Sequence, residues 1–189
     1  YDEKRRLFRI GLLPGESAPA QSWYDLLESE ERLTAYFTIA SGQIEHRHWR
    51  QLSRAQVGYR RRRGMVSWSG SLFEYLMPEL FLPLYRGSHL WESARFAVYV
   101  QRRRTFGAKK LWGISESAFY AFDATDHYRY KAHGCAALAL QPGMDRELVL
   151  SPYSSFLALA VEPRAAMRNL RRLAALGLLG QHGFFDALD

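Results

Sequence analysis

The chain has a single cysteine, Cys135, set in the small apolar run Gly-Cys-Ala-Ala-Leu-Ala-Leu. One thiol excludes a disulfide framework and a cysteine metal site, and in that company it reads as buried and inert. No apolar run reaches the roughly 18 residues that a membrane span needs. The first residues, Tyr1 to Arg9, are charged rather than an apolar signal region, so the segment reads as soluble. His46 and His48 lie two residues apart and would point to opposite sides of a helix, which makes them a poor metal pair. No metal and no cofactor is expected. Zinc-finger spacing, an RNP-type motif, a GXXG loop and a phosphate loop are all missing, although the net charge is +7 and the pI near 9.7. The arginines fall at Arg60 to Arg63, at Arg102 to Arg104 and at Arg164, Arg168, Arg171 and Arg172, which are loop, helix-end and outer-face positions. They read as a solvated surface rather than a nucleic-acid site. No strand alternation is sustained enough to build a sheet, and no repeat recurs at a fixed period. The chain begins without an initiator methionine, and it is expected to be a piece of something longer.

What is present is a series of helix patterns over 189 residues of ordinary globular composition, within the range of one domain spanning 1–189. Ser22, with Asp25 three residues on, predicts a helix to about Ser41, closed by Gly42. Its apolar stripe is Leu26, Leu33, Phe37 and Ala40. Glu30 falls on that stripe, whereas Glu28 is placed on the outer side, paired with Arg32. A short helix is expected over Ile44 to Ser53, then a basic loop from Arg54 to Gly64. Ser71 caps an almost wholly apolar helix from Leu72 to about Leu84, shortened or kinked by Pro78 and Pro83. Ser88 caps a longer amphipathic helix to about Arg104, Ser151-Pro152 opens another through Ala160, and Glu162-Pro163 opens a last one that Gly177 ends. The expected class is all-α, helix pair after helix pair.

Three carboxylates stand out in apolar or aromatic company, and they are expected to face one cavity. Glu116, in Trp-Gly-Ile-Ser-Glu-Ser, has Phe119 and Tyr120 rather than a basic partner at helical spacing. Glu30 lies on an inward stripe, where a carboxylate costs several kcal/mol in desolvation unless it is paired, protonated or open to a wet cavity. Glu74 lies in a buried helix, where the bland account is a first-turn glutamate satisfied by the helix's own free amides. Carboxylates in an aromatic-rich cavity, without a cysteine or metal nucleophile, are what glycoside cleavage needs: one protonates the leaving oxygen while another attacks the anomeric carbon or activates the attacking group. Trp68, Trp112, Tyr120 and Tyr130 would offer flat faces to sugar rings.

The segments Tyr24 to Leu33, Ser67 to Pro78 and Trp112 to Ser117, in that order, resemble those of the glucoamylase-like domain of cyclic β-1,2-glucan synthases. The similarity extends from Tyr1 to Asp189, with departures in the basic loop at Arg60 to Arg63 and in the stretch before Trp23. The resemblance implies part or most of an (α/α)6 toroid of paired helices acting on β-1,2-linked glucan. It implies retaining transglycosylation that closes a ring, with hydrolysis of the same linkage as the alternative. Carried onto this chain, Glu116 becomes the nucleophile and Glu30 the acid/base, with the two roles exchangeable. Asp25, Trp68, Glu74, Tyr75, Trp112, Tyr120 and Tyr130 become substrate-binding residues. The partner is a β-glucan oligosaccharide or polysaccharide, and nucleic acid is not expected. The segment itself makes no membrane contact, although the parent chain is expected to be an inner-membrane synthase with this domain on the cytoplasmic side. A non-catalytic glycan-binding or scaffolding piece and an arginine-based nucleic-acid module stand as competing readings.

Overall fold

The computed structural model describes residues 1–12, 15, 20–104, 110–118, 122, 124–127 and 129–188. Helices carry the interior: α1 (Glu31–Ala40), α2 (Arg47–Gln51), α3 (Leu72–Leu76), α4 (His89–Arg103), α5 (Pro152–Leu157) and α6 (Pro163–Leu173). Around them, among the described residues, run eight short strands in four antiparallel two-stranded ladders: β1 (Phe8–Arg9) with β2 (Trp23–Tyr24), β3 (Gln56–Tyr59) with β4 (Arg62–Met65), β5 (Ser117–Ala118) with β6 (Tyr130–Lys131), and β7 (Leu179–Gly180) with β8 (Gly183–Phe184). The chain is therefore helix-rich with few short strands, and the all-α expectation needs that amendment.

α4 forms where its cap and its stripe agree. The Ser88 hydroxyl accepts from the Trp91 amide at 3.1 Å, and Ala94, Ala97, Val98 and Gln101 recur at helical spacing on the buried face. That face meets Leu72, Tyr75 and Leu76 of α3, Ala158 beyond α5, and Ala165 and Ala166 of α6 in the main core, which also takes in Cys135. α3 is short because Pro78 sits at the start of a 3-10 turn over Met77–Leu80. Two smaller clusters flank this core: Leu111, Ile114, Leu150, Leu173 and Leu178 on one side, and Leu27, Ala35, Leu52 and Met65 on the other.

The first helix departs most from the expectation. It starts at Glu31, not Ser22, because the chain before it is committed to extended pairing. Trp23 and Tyr24 ladder with Arg9 and Phe8, the Asp25 carbonyl accepts from the Ser53 amide at 2.6 Å, and the Leu27 amide donates to the Ser53 carbonyl at 3.0 Å. Glu30 consequently sits at the helix entry, not on an inward stripe, and Phe37 points outward. Glu28 does pair with Arg32, at 3.0 Å, but inside the protein: the two side chains are 0% and 1% exposed, and Glu79 closes on the same guanidinium at 3.2 Å. Burial outweighs the attraction of Arg32 and pushes the Glu28 carboxyl up to about 8. Arg54 to Gly64 is likewise no plain loop, since β3 and β4 form a hairpin that turns through Arg60 at φ 56°.

Candidate carbohydrate cleft

The Trp112–Ser117 stretch is threaded through the core and held by two buried amides. Asn169 of α6 accepts from the Trp112 amide at 3.3 Å and donates to the Trp112 carbonyl at 2.7 Å. Gln101 of α4 accepts from the Ile114 amide at 2.8 Å and donates to its carbonyl at 2.8 Å. Between them Gly113, at φ 118°, has no room for a side chain, since a Cβ would lie 2.6 Å from the Ser154 hydroxyl. The next residue but one, Ser115, accepts from the Phe73 amide at the start of α3 at 2.9 Å and from the Tyr153 hydroxyl at 2.7 Å. With its flanks fixed in this way, the backbone delivers Glu116 to the rim of a cleft.

That cleft has a volume of about 580 Å³, and Asp25, Glu30, Glu74 and Glu116 all line it, together with Trp68 and Tyr24. The Glu116 Oε2 accepts from the Tyr130 hydroxyl at 2.7 Å. Burial raises the Glu116 pKa above the ordinary carboxylate range, the Tyr130 bond works against that, and the charges of Glu74 and Glu30 add to the rise. The Tyr24 hydroxyl feels both Glu30 and Glu116. Its pKa is raised by burial first and then by Glu30, with Glu116 adding to the rise.

Glu74 forms the floor. Its Oε2 accepts from the hydroxyls of Ser67, Ser69 and Ser71 at 2.8, 2.6 and 3.2 Å and from the Ser71 amide at 3.1 Å. The Ser69 amide lies 3.1 Å from its Oε1. The Ser71 hydroxyl oxygen in turn accepts from the Glu74 amide and completes a capping box. Glu74 is thus a first-turn glutamate satisfied locally that also borders the cleft. Asp25 is the reverse case: its Oδ1 is buried without a hydrogen-bond partner among the described residues.

The aromatic expectations divide. Trp68, 37% exposed, borders the cleft. Trp112, 3% exposed, packs in the main core beside α3 and α4, so it offers no face to a sugar. Tyr75 is fully buried too, with its hydroxyl on the Met65 carbonyl at 2.7 Å. Tyr130 is exposed and reaches the site through its hydroxyl on Glu116. Tyr120 lies outside the described residues. Sequence reasoning passed over Tyr24 and, from the N-terminal segment, Arg5 and Trp23 of the cleft wall. It also passed over Gln101 and Asn169, whose only signal was a carboxamide on the buried face of each helix.

Residues 24–189 match the family described as "Glycoamylase: Putative glucoamylase". The chain belongs to this glycoamylase family. It is 40% identical over all 189 residues to the cyclic β-(1,2)-glucan synthase NdvB of Rhizobium meliloti (strain 1021), of whose length it spans 7%. Two solved structures share the fold of this glycoamylase chain. The β-1,2-glucanase from Parabacteroides distasonis is 20% identical with a TM-score of 0.55, over 85% of this chain and 23% of that one. The endo-β-1,2-glucanase from Chitinophaga pinensis, in complex with sophorotriose and glucose, is 17% identical with a TM-score of 0.51, over 72% of this chain and 34% of that one. Among the described residues of this family member, no helix is long and apolar enough to cross a membrane.

Proposed function

We propose that this chain is part of an (α/α)6 toroid that acts on β-1,2-linked glucan, with Glu116 and Glu30 as the reacting carboxylates of a retaining transglycosylation. The reading is carried by the convergence of Glu30 and Glu116 on one cleft with a tryptophan face and further carboxylates. The relatedness to a cyclic β-(1,2)-glucan synthase and the fold shared with β-1,2-glucanases support the choice of linkage. Glu30 protonates the glycosidic oxygen, the C1–O bond breaks, and a Glu116 oxygen bonds to C1 as the reducing-end fragment leaves. Glu30, now a carboxylate, takes the proton from the 2-hydroxyl of the chain's own non-reducing end. That oxygen attacks C1, Glu116 departs, and a ring closes. Water in place of the hydroxyl gives hydrolysis, the second reading, which uses the same two groups. The Tyr130 bond favours the ionised Glu116 that a nucleophile requires, which supports this assignment of roles over the exchanged one.

The test is incubation of the intact protein with linear β-1,2-glucan, followed by mass analysis. Rings weigh one water less than the linear chains. Glu116→Gln and Glu30→Gln should each abolish product without unfolding the protein. With azide added, the Glu116→Ala variant should give an α-glucosyl azide and the Glu30→Ala variant a β-glucosyl azide. Near-normal turnover in Glu116→Gln sinks the assignment, and exchanged azide products exchange the roles. Binding of β-1,2-gluco-oligosaccharide without any product would instead support a glycan-binding piece of a synthase.

A further inference from the structure

One wall of the cleft is built before the residues that match the family: Arg5, Leu7, Ile10, Ser22 and Trp23 all line it, while the match begins at residue 24. This wall is fastened. The Asp2 carboxylate accepts from the Trp23 indole N–H at 3.1 Å and from the Arg9 guanidinium at 3.2 Å, and its other oxygen accepts from the Arg5 amide at 3.0 Å. The segment turns back on itself, with the Arg6 amide on the Asp2 carbonyl at 2.7 Å and Arg6 at φ 56°. From the protein side, His48 Nδ1 donates to the Arg6 carbonyl at 2.6 Å, and Tyr1 and Phe8 pack edge-on against its ring. Asp2 therefore satisfies Arg9 and the indole N–H, and the Arg5 guanidinium is laid 4.0 Å from the centroid of the Trp23 ring with no acidic partner among the described residues.

Arg5 is the single cation among the described cleft-lining residues, against the four carboxylates of Asp25, Glu30, Glu74 and Glu116. Carboxylates accept from sugar hydroxyls but donate nothing while ionised, whereas a guanidinium offers a planar fork of donors. In a β-1,2-linked glucan the O2 of each internal residue is consumed by the linkage, and the 3- and 4-hydroxyls remain as a vicinal pair that such a fork spans.

We propose that Arg5, stacked on Trp23, forms a sugar subsite on the N-terminal wall of the cleft that grips the vicinal diol of a glucosyl unit of the β-1,2-glucan. This rests on the proposed substrate class and adds to it where the chain is held. Stacking on Trp23 pre-orders the guanidinium, so less side-chain freedom is lost on binding. The subsite makes affinity depend on chain length: oligosaccharides too short to reach it bind without its help.

The experiment is calorimetric titration of β-1,2-gluco-oligosaccharides of increasing length into the intact protein, in a Glu116→Gln background that prevents turnover. The expected result is a step in affinity at one chain length, lost by about tenfold in Arg5→Ala, as for a group making charged hydrogen bonds. Arg5→Lys should restore only part of the step, and the shorter oligosaccharides should bind all three proteins equally. Asp2→Asn, which loosens the wall without removing the guanidinium, supplies the signature of a purely structural effect. The proposal is overturned if Arg5→Ala keeps the step, or if it weakens every length alike in the manner of Asp2→Asn. If the intact protein binds no β-1,2-gluco-oligosaccharide, the subsite and the proposed function fall together. If it shows the Arg5-dependent step yet the unsubstituted protein forms no product, the reaction falls and the subsite stands.

Discussion

Gln101 and Ile114 exchange two hydrogen bonds of 2.8 Å, amide to backbone in both directions, and the cleft glutamate follows two residues later. The Gln101 side chain is in effect a short strand partner placed on a helix. Its N–H and C=O stand where a neighbouring backbone would, so the buried stretch needs no sheet to satisfy it.

Replacing Gln101 by Leu keeps the bulk, leaves the Ile114 N–H without this partner and leaves its C=O with the Leu72 amide at 3.4 Å. A buried orphan costs about 1–3 kcal/mol. The expected loss is on the order of 2 kcal/mol, or roughly 4–8 °C in Tm for a chain of this size. Turnover of linear glucan should fall through kcat, with KM little changed, because the displaced group reacts rather than binds. Chemical denaturation and steady-state kinetics on the one variant read both effects.

Tyr130→Phe removes the hydrogen bond that Tyr130 donates to Glu116 Oε2 and leaves the burial and the neighbouring negative charges that raise its pKa. The carboxyl pKa should rise further. If Glu116 attacks as a carboxylate, the acid limb of the kcat/KM profile moves to higher pH, and activity is lost first on the acidic side. An acid limb that stays in place would show that Glu116 is not the group titrating there.

Much of the helical order could be read directly. Ser71, Ser88 and Pro152 mark helix starts at the places where the structure has them, because a cap or an N-terminal proline acts within one turn of chain. The start of α1 was not legible from Ser22, since what extends residues 23–27 is pairing with Phe8, Arg9 and Ser53, and such partners leave no local trace. The convergence of Glu30, Glu74 and Glu116 was anticipated from their apolar company. The geometry that brings Glu30 there is a helix entry and not the expected stripe. Trp112 misled because an aromatic before a glycine reads the same whether its ring faces a cavity or the core. The buried Glu28 misled because an i,i+4 partner says nothing about which side of the helix is wet.

Two carboxyls outside the cleft make stability depend on pH. Glu28 is pushed up to about 8 by burial, against the pull of Arg32, and Glu31, beside His48 at 2.8 Å, is pushed up to about 8 by burial and by Glu30. Both hold a proton in the folded chain that the unfolded chain releases from about 4.5 upward. Their stabilising contribution is therefore fully present below that value and lost as pH rises through about 8. Thermal melting should show Tm falling by roughly 5–10 °C between about pH 5 and about pH 9, a change on the order of a few kcal/mol. Glu28→Gln should flatten part of that slope, and a slope unchanged in the variant would assign the dependence elsewhere.

Gly134 gives the most local test of the cleft floor. An added Cβ would lie 1.6 Å from the Ser69 carbonyl oxygen and 2.4 Å from its carbon, and neither atom is the end of a flexible side chain. Something in the backbone has to move. The Ser69 amide and hydroxyl both bind Glu74, and the peptide around Gly70 is pinned by the Cys135 amide on the Gly70 carbonyl at 3.0 Å. A shift of Ser69 therefore opens the serine cradle and exposes a carboxylate that is now buried. Gly134→Ala should destabilise the chain by several kcal/mol, more than the ~1–3 kcal/mol typical of overpacking at flexible core positions. Gly42→Ala is the control. Gly42, unlike Gly134, has positive φ, at 72°, and nothing stands within 4 Å of its Cβ position, so that variant carries backbone strain alone. If the two variants melt together, the close approach of residue 134 to Ser69 does not support the floor of the cleft.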